Sequence, residues 1–250
     1  MKKKPSPTQY EFLDWDSKHF GYPVVKVVSS SQTEGAVKKI LNDLSSEVRL
    51  VYWFVDPDEE VSNIEVLENG GLLVDEKLTY VQTIPERYKT YSHSKQVRPY
   101  LHKTEDSQII YLAQQAGACS RYKIDPNFMN NEYKILYTEW IKKSLSGDLA
   151  KEVFLYELDG VKAGLVTLGE KNKRGEIGLI AVDNEFRRSG IGKKLMCAAF
   201  AEAHKLGYSE MQVVTQKANV IANRFYERLG FSEESTINIY HFWLNEKKFR

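Results

Sequence analysis

A short turn between a strand and a helix constrains this chain more than any other feature of its sequence. The strand ends at Val182, a helix opens at Gly190, and the connection contains Arg187-Arg188-Ser189-Gly190-Ile191-Gly192. Free backbone N–H groups at a helix N-terminus, with the positive end of the helix dipole behind them, form an anion site, and glycines let a ligand approach the backbone. The turn therefore predicts a pyrophosphate site, with Lys193 and Lys194 as further cations. An empty strand-to-helix connection is the alternative.

The glycine spacing in this turn excludes two common nucleotide motifs. The pattern G-x-x-x-x-G-K-[ST] fails because Arg187 stands where its first glycine belongs, and G-x-G-x-x-G fails because Leu195 occupies its last position. Nucleotide hydrolysis and dinucleotide binding therefore lose their best sequence support.

Composition excludes several classes of protein. The 250 residues include 35 Lys and Arg against 34 Asp and Glu, a net charge of +1 that disfavours general nucleic-acid binding. The hydrophobic fraction of 42% is enough for a folded core, and no apolar run approaches the ~18 residues of a membrane span. Cys119 and Cys197 lack the spacing of metal ligands. We therefore expect a cytoplasmic protein with no metal site and no membrane or nucleic-acid partner.

The order of predicted elements indicates an α+β fold with two domains. In the first half, strands at Val24–Val28, Leu50–Val55 and Leu72–Ile84 alternate with helices, and the aperiodic segment Pro85–His102 then predicts a linker. The second half predicts two helices, three antiparallel strands, then helix, strand, helix and strand. These patterns predict an N-terminal α/β domain over residues 1–95 and a second domain over residues 96–250.

A second motif follows the turn after one more strand. It has the form Asn219-x-x-Ala222-x-x-Phe225-Tyr226-x-x-x-Gly230-Phe231. The order R-x-x-G-x-G, strand, N-x-x-A-x-x-F-Y-x-x-x-G-F resembles the GNAT superfamily of acyl-CoA-dependent N-acyltransferases at both of its most specific motifs. The resemblance extends from about residue 103 to the C-terminus. It implies the GNAT fold, a mixed and mostly antiparallel twisted sheet flanked by helices, here with a smaller N-terminal α/β domain.

The resemblance also implies an acyl-CoA cosubstrate, either acetyl-CoA or a longer thioester such as 3-hydroxybutanoyl-CoA, and no metal. Turn N–H groups would hold the CoA pyrophosphate, the end of the strand would pair with pantetheine, and the N–H of Val182 or its neighbour would polarise the thioester carbonyl. Asn219 would steady the cofactor. The implied cofactor-binding residues are Ile180, Ala181, Val182, Arg187, Arg188, Ser189, Gly190, Ile191, Gly192, Lys193, Asn219 and Ala222.

Direct attack of an amine on the thioester is the implied chemistry, and it needs no covalent intermediate. Tyr226 matches the general acid of the family, which protonates the leaving thiolate. A tyrosine packed at the edge of the core is the alternative for this residue. Glu176 is the candidate base, acting through water, and a surface glutamate beside a turn is its alternative.

Two further segments resemble a narrower group, the GNAT enzymes of the TDP-fucosamine acetyltransferase type. They are LDWDSKHFGYPV (Leu13–Val24), and SRYKIDPNF with Tyr137-x-x-Trp140-Ile141 downstream. His19 departs from the aromatic residue that this group has at its position. Ser120, Arg121 and Tyr122 are the candidate acceptor contacts, because guanidinium suits a diphosphate and a phenol ring can stack on a base or sugar. A solvent-facing turn is the alternative.

The resemblance thus implies acyl transfer from CoA to the amine of a dTDP-linked 3- or 4-amino-dideoxyhexose, and a homodimer is an expectation from the family. Two alternatives stay open. One is a GNAT enzyme that acts on a protein or peptide amine, and the other is a CoA-binding module without catalytic activity.

Overall fold

A computed structural model describes residues 10–28, 35–91, 94–101 and 104–244. Within them the chain forms ten strands and eight α-helices. In chain order these are β1 (Tyr10–Phe12), α1 (Asp14–Phe20), β2 (Val24–Val28), α2 (Ala36–Leu44), β3 (Leu50–Val55), α3 (Glu60–Glu68), β4 (Leu72–Thr83), β5 (Val97–Pro99), α4 (Ser107–Ala116), α5 (Arg121–Ile124), α6 (Glu132–Ser146), β6 (Glu152–Leu158), β7 (Val161–Lys171), β8 (Arg174–Val182), α7 (Ile191–Lys205), β9 (Glu210–Gln216), α8 (Val220–Leu229) and β10 (Ser232–Trp243).

These elements form two compact units, neither of them a single continuous segment. The first contains Met1–Lys77, Ile124–Glu132 and Thr236–Arg250, and the second contains Leu78–Lys123 and Tyr133–Ser235. Strands β4 and β10 each contribute residues to both units. The division into residues 1–95 and 96–250 stays a prediction, because these units are defined by packing and not by independent folding.

The first unit is built on a parallel β-α-β arrangement. Strands β2 and β3 are parallel, and β1 and β10 flank them in antiparallel pairing. Three valines of β2 (Val24, Val25 and Val27) and every β3 residue except the half-buried Phe54 are buried, as expected for strands covered by side chains on both faces. Helix α2 buries Val37, Ile40 and Leu44, which recur at helical spacing, in the same core as Trp53 and Phe242.

The second unit is built on an antiparallel meander that continues into a parallel pair. Its strands follow the order β4-β9-β8-β7-β6-β5, with β5 to β8 antiparallel and β8 and β9 parallel. Helix α7 is buried along most of its length in the main core with residues of α8, while α4 packs on β7 and β8. Strand β5, inside the predicted linker, and the short helix α5 were not predicted.

No helix within the described ranges has the length and apolar character needed to cross a membrane. The same ranges contain no cluster of three or more His, Cys, Asp or Glu side chains suited to hold a metal ion.

Candidate active site

The candidate site is an opening between β8 and β9. Their parallel register begins at Gly175 opposite Met211 and ends at Ile177 opposite Val213, although the strands run on to Val182 and Gln216. Backbone groups at the edge of a strand need partners, so the last part of β8 is prepared to pair with an extended ligand.

A β-bulge lies where this pairing ends. In the antiparallel register with β7, Leu168 faces Ile177 and Val166 faces Ile180, so the two β8 residues between them face Thr167 alone. A bulge shifts the alternation of side chains along its strand. Accordingly, the core that contains α7 includes Ile177, which precedes the bulge, and is contacted by Ile180 and Val182, which follow it.

The direction of the amides after the bulge follows from one hydrogen bond. Asp183 donates its N–H to Ala163 O on the β7 side at 3.0 Å. Because successive amides of a strand point to opposite sides, the N–H of Ala181 points toward β7, and those of Ile180 and Val182 point into the opening. The role of polarising the thioester carbonyl therefore suits Ile180 and Val182, not Ala181.

The turn before α7 has a backbone that directs its amides outward. Arg188 and Gly190 have φ angles of 63° and 83°, and α7 begins at Ile191 with no side-chain cap. A left-handed residue followed by a helical one brings successive N–H groups together as an anion-binding concavity. Exposed side chains surround this turn: Arg187 donates its Nε–H to Val182 O at 3.1 Å, and the Ser189 hydroxyl donates to a carbonyl within the turn.

The other residues predicted around the turn have different surroundings. A Cβ at Gly192 would lie 3.3 Å from the Phe225 ring, so α7 and α8 pack closely at this glycine. The Ile191 side chain is buried, which leaves its amide as the group for a ligand. Lys193 is exposed, whereas Lys194 has its Nζ 3.4 Å from the Tyr156 hydroxyl.

Helix α8 supplies the predicted general acid from the core side of the opening. Asn219 caps the helix by accepting the Ala222 N–H at 3.3 Å, so its carboxamide oxygen is already engaged within the protein. Tyr226 is 4% exposed and lies among aromatic rings, with the Tyr80 and Phe231 centroids at 6.1 Å and 5.8 Å. Burial raises the pKa of the Tyr226 phenol above its ordinary value of 10.0, which keeps it protonated at neutral pH.

Glu176 lies on the opposite face of the sheet from Tyr226. On β9, Met211 and Val213 point into the core that contains α7, so Gln212 between them points to the opposite face of the sheet. Glu176 on β8 is paired with Gln212 and points to the same face. Gln212 donates its Nε2–H to Glu176 Oε1 at 3.2 Å, and Lys171 Nζ lies 3.6 Å from the same oxygen. Both faces of the sheet meet the opening, so the predicted acid and base would approach it from opposite sides.

The predicted acceptor contacts lie at the start of α5. Ser120 is buried and accepts the Lys123 N–H through its carbonyl at 2.9 Å. Arg121 lies over the Tyr122 ring at 4.4 Å and donates to its hydroxyl at 2.6 Å. The Arg121 guanidinium and the Tyr122 phenol are therefore held as a pair.

A row of aromatic rings connects this region with the opening. Tyr133 and Tyr137 have ring centroids 5.3 Å apart, and Tyr137 stacks on Trp140 at 5.7 Å. Lys123 Nζ lies 5.3 Å from the Tyr133 centroid. At the other end, a Cβ at Gly178 would lie 3.6 Å from Trp140 Nε1, so the row begins at the bulge.

Sequence reasoning assigned no role to four residues near the opening: Trp140, Thr167, Gly178 and Gln212. Trp140 belonged to the Tyr137-x-x-Trp140-Ile141 motif without a role of its own, and Gly178 carried a local signal, because a glycine inside a strand pattern predicts a bulge or a close approach. Thr167 and Gln212 are single polar residues in apolar strands. Their positions depend on register, which periodicity alone does not give.

Comparisons with known proteins agree with the fold of this chain. Residues 118–231 match the family model described as Acetyltransferase (GNAT) family. The chain is 27% identical over 135 residues to the spore coat polysaccharide biosynthesis protein SpsD of Bacillus subtilis (strain 168), covering 54% of this chain but only 46% of that protein. It is 28% identical over 159 residues to the spermidine N(1)-acetyltransferase of Escherichia coli (strain K12), covering 62% of this chain and 81% of that enzyme.

Among solved structures, the GCN5-related N-acetyltransferase from Sphaerobacter thermophilus superposes with a TM-score of 0.61 at 12% identity, over 94% of this chain and 76% of that one. A likeness at this identity shows the fold. The predicted α+β class and GNAT fold are confirmed. Residues 118–231 are therefore similar to the acetyltransferase (GNAT) family, and the chain has the GNAT fold.

Proposed function

We propose that this protein transfers an acyl group from a CoA thioester to a primary amine. The observation that carries the proposal is the end of β8–β9 pairing at Ile177 and Val213, followed by the uncapped start of α7. This arrangement offers an unpaired strand edge to pantetheine and converging N–H groups to a pyrophosphate.

The chain's own residues can carry each step. The amine attacks the thioester carbon while the N–H groups of Ile180 and Val182 stabilise the developing oxyanion. As the C–S bond breaks, Tyr226 donates a hydrogen bond and then its proton to the leaving sulfur. Glu176 receives the proton of the attacking amine through water. Because the raised phenol pKa lies above the ~8.5 of a thiol, complete proton transfer to a free thiolate is uphill, so the phenol donates while the C–S bond is breaking; the proton taken up at Glu176 then returns to the phenolate through solvent.

For the acceptor we propose an amino sugar linked to a nucleoside diphosphate, such as a dTDP-amino-dideoxyhexose. Arg121 and Lys123 at one end of the aromatic row favour an anionic acceptor, and the rings suit a base or sugar face. SpsD, whose name refers to polysaccharide biosynthesis, supports this class. The length of the acyl group, a homodimer and a cytoplasmic location stay predictions from the sequence.

A polyamine is the second candidate acceptor, favoured by the match that covers 81% of a spermidine acetyltransferase. The cations of α5 argue against it, since they would repel a polycation. A peptide amine and a CoA-binding module without turnover remain the alternatives.

A direct test combines acetyl-CoA and 3-hydroxybutanoyl-CoA with dTDP-3-amino and dTDP-4-amino sugars, spermidine and peptide N-termini, and measures release of free thiol. We expect turnover with a sugar nucleotide. Turnover with peptides or spermidine alone would refute the acceptor, and CoA binding without turnover on any amine would refute the activity.

The phenol role has its own test. Tyr226→Phe is expected to lower kcat by about 10²- to 10³-fold with little change in CoA affinity. Tyr80→Phe is the matched control, because Tyr80 lies in the same aromatic group but donates its hydroxyl to Glu227 at 3.2 Å. An unchanged kcat in Tyr226→Phe would remove the general-acid role.

A further inference from the structure

The bulge in β8 is held by a buried threonine of β7. Thr167 is 1% exposed, and its Oγ1 accepts the N–H of Leu179 at 2.8 Å. The extra residue of a bulge loses its partner in the strand ladder, and a buried N–H without an acceptor is costly. The Thr167 hydroxyl therefore replaces the missing ladder bond at the point where β8 changes its alternation.

Gly178 makes this contact fit. A Cβ at Gly178 would lie 2.9 Å from Thr167 Oγ1, closer than side-chain atoms normally approach. The hydroxyl thus occupies the space that any other residue at position 178 would fill. Gly178 and Thr167 form a matched pair, which we name the bulge lock.

We propose that Thr167 is a positioning residue for the acyl-transfer reaction: the bulge lock keeps the N–H groups of Ile180 and Val182 directed into the opening. The inference rests on the proposed function. Without the bulge, the residues that follow it would slip by one position, and a one-residue slip turns side chains and amides to the other side. The amides at the thioester would then point toward β7.

The inference predicts a difference between two conservative variants. Thr167→Val has nearly the same shape but no acceptor, whereas Thr167→Ser keeps the hydroxyl oxygen. We expect Thr167→Val to lower kcat about tenfold to hundredfold, since loss of one oxyanion donor costs roughly 10²- to 10³-fold and here the donors are displaced, not removed. Thr167→Ser should stay within about threefold of the natural protein, and the KM for acyl-CoA should change less than kcat in both.

The decisive readout is the carbonyl stretching frequency of bound acetyl-CoA labelled with ¹³C at the carbonyl, measured by difference infrared spectroscopy. A hydrogen-bonded carbonyl absorbs at lower frequency than a free one. The carbonyl frequency should be lower than that of free acetyl-CoA in the natural protein and in Thr167→Ser. In Thr167→Val it should return toward the frequency of free acetyl-CoA. The control is Thr138→Val, a threonine of α6 in the same unit that accepts from Gln114 at 3.3 Å.

If Thr167→Val does not fold, Gly178→Ala replaces it, because the added methyl pushes the hydroxyl away from the Leu179 amide. A band and a kcat equal to those of the natural protein, in whichever of these two variants folds, would overturn the inference. If the natural protein itself shows neither turnover nor a shifted band, the proposed function fails instead.

Discussion

Two helices of this protein begin with the same backbone geometry, but their first N–H groups have different acceptors. Helix α2 in the first unit and α7 in the second both start after a left-handed glycine, Gly35 at φ 80° and Gly190 at φ 83°, and neither has a side-chain cap. At α2 the carboxylate of Glu65 accepts the Val37 N–H at 3.2 Å. At α7 no side-chain oxygen in the described part of the chain accepts the corresponding amides.

The difference shows how one backbone geometry serves structure or binding. The first N–H groups of a helix need acceptors, and a carboxylate near them also interacts favourably with the helix dipole. The first unit supplies that anion from its own α3. In the second unit these amides face solvent or a ligand, as the proposed site for the CoA pyrophosphate requires.

The largest expected effect is on CoA binding, when a methyl group is added at the glycine that precedes α7. Gly190→Ala should raise the Kd for CoA about tenfold to hundredfold, roughly 1.4 to 2.7 kcal/mol, because alanine disfavours the left-handed backbone that brings the N–H groups together. Gly35→Ala is the matched control, since neither added Cβ meets any atom within 4 Å. Isothermal titration with CoA measures the effect.

Both variants should lose a similar amount of stability, about 1 to 2 kcal/mol from the left-handed conformation alone. Chemical denaturation without CoA checks this equality. If Gly35→Ala weakens CoA binding as much as Gly190→Ala does, the proposed difference between the two helix starts is wrong, because the loss of affinity would then reflect general destabilisation.

A smaller effect is expected from removing the internal anion. Glu65→Ala should lower the free energy of unfolding by about 1 kcal/mol, comparable to the loss of a helix cap, while alanine itself suits the middle of α3. Glu65→Gln keeps an acceptor but not the charge, so its loss should be smaller. Neither variant should change the Kd for CoA, and a changed Kd would contradict the separation of the two helix starts.

The sequence predicted the α7 turn because its signals are local. Glycine, arginine and the end of a strand stand within a few residues of Gly190, and left-handed backbone is a property of single residues. The cap of α8 by Asn219 was not predicted, although an asparagine just before a helical pattern is a local signal of the same kind. Strand β3 was also predicted with its observed bounds, because its run of apolar residues is unbroken.

The partners of these local features were not predictable, because they depend on contacts between distant positions. Nothing near Val37 in sequence indicates that Glu65 will accept its N–H, 28 residues away. The Thr167 contact with Leu179 depends on the register of β7 and β8 and on one bulge. The closeness of Gly192 to Phe225, 3.3 Å from an added Cβ, is likewise a contact between two helices that its place in the turn does not reveal, and its contact with a ligand stays a prediction.

A third helix start extends the comparison and gives the smallest expected effect. Helix α4 is capped by its own residue: Asp106 Oδ1 accepts the Ile109 N–H at 2.9 Å, and Oδ2 lies 2.7 Å from Lys162 Nζ. Burial alone would raise the pKa of Asp106, but hydrogen bonds from Lys162 and Ile109 outweigh it and lower the pKa below 3.8. A carboxyl with a lowered pKa stabilises the fold above its unfolded pKa, and this contribution is lost as the pH falls through the folded value.

Asp106→Asn keeps the cap acceptor and removes the charge, so it isolates that contribution. Because Asp106 is 42% exposed, we expect a loss of only a few tenths of a kcal/mol at pH 7. The difference from the natural protein should stay constant down to about pH 5 and shrink as the pH falls below 3.8, as urea denaturation at a series of pH values would show. A difference independent of pH would mean that the cap acts only through its hydrogen bond. The three helix starts would then differ in the origin of the acceptor and not in its charge.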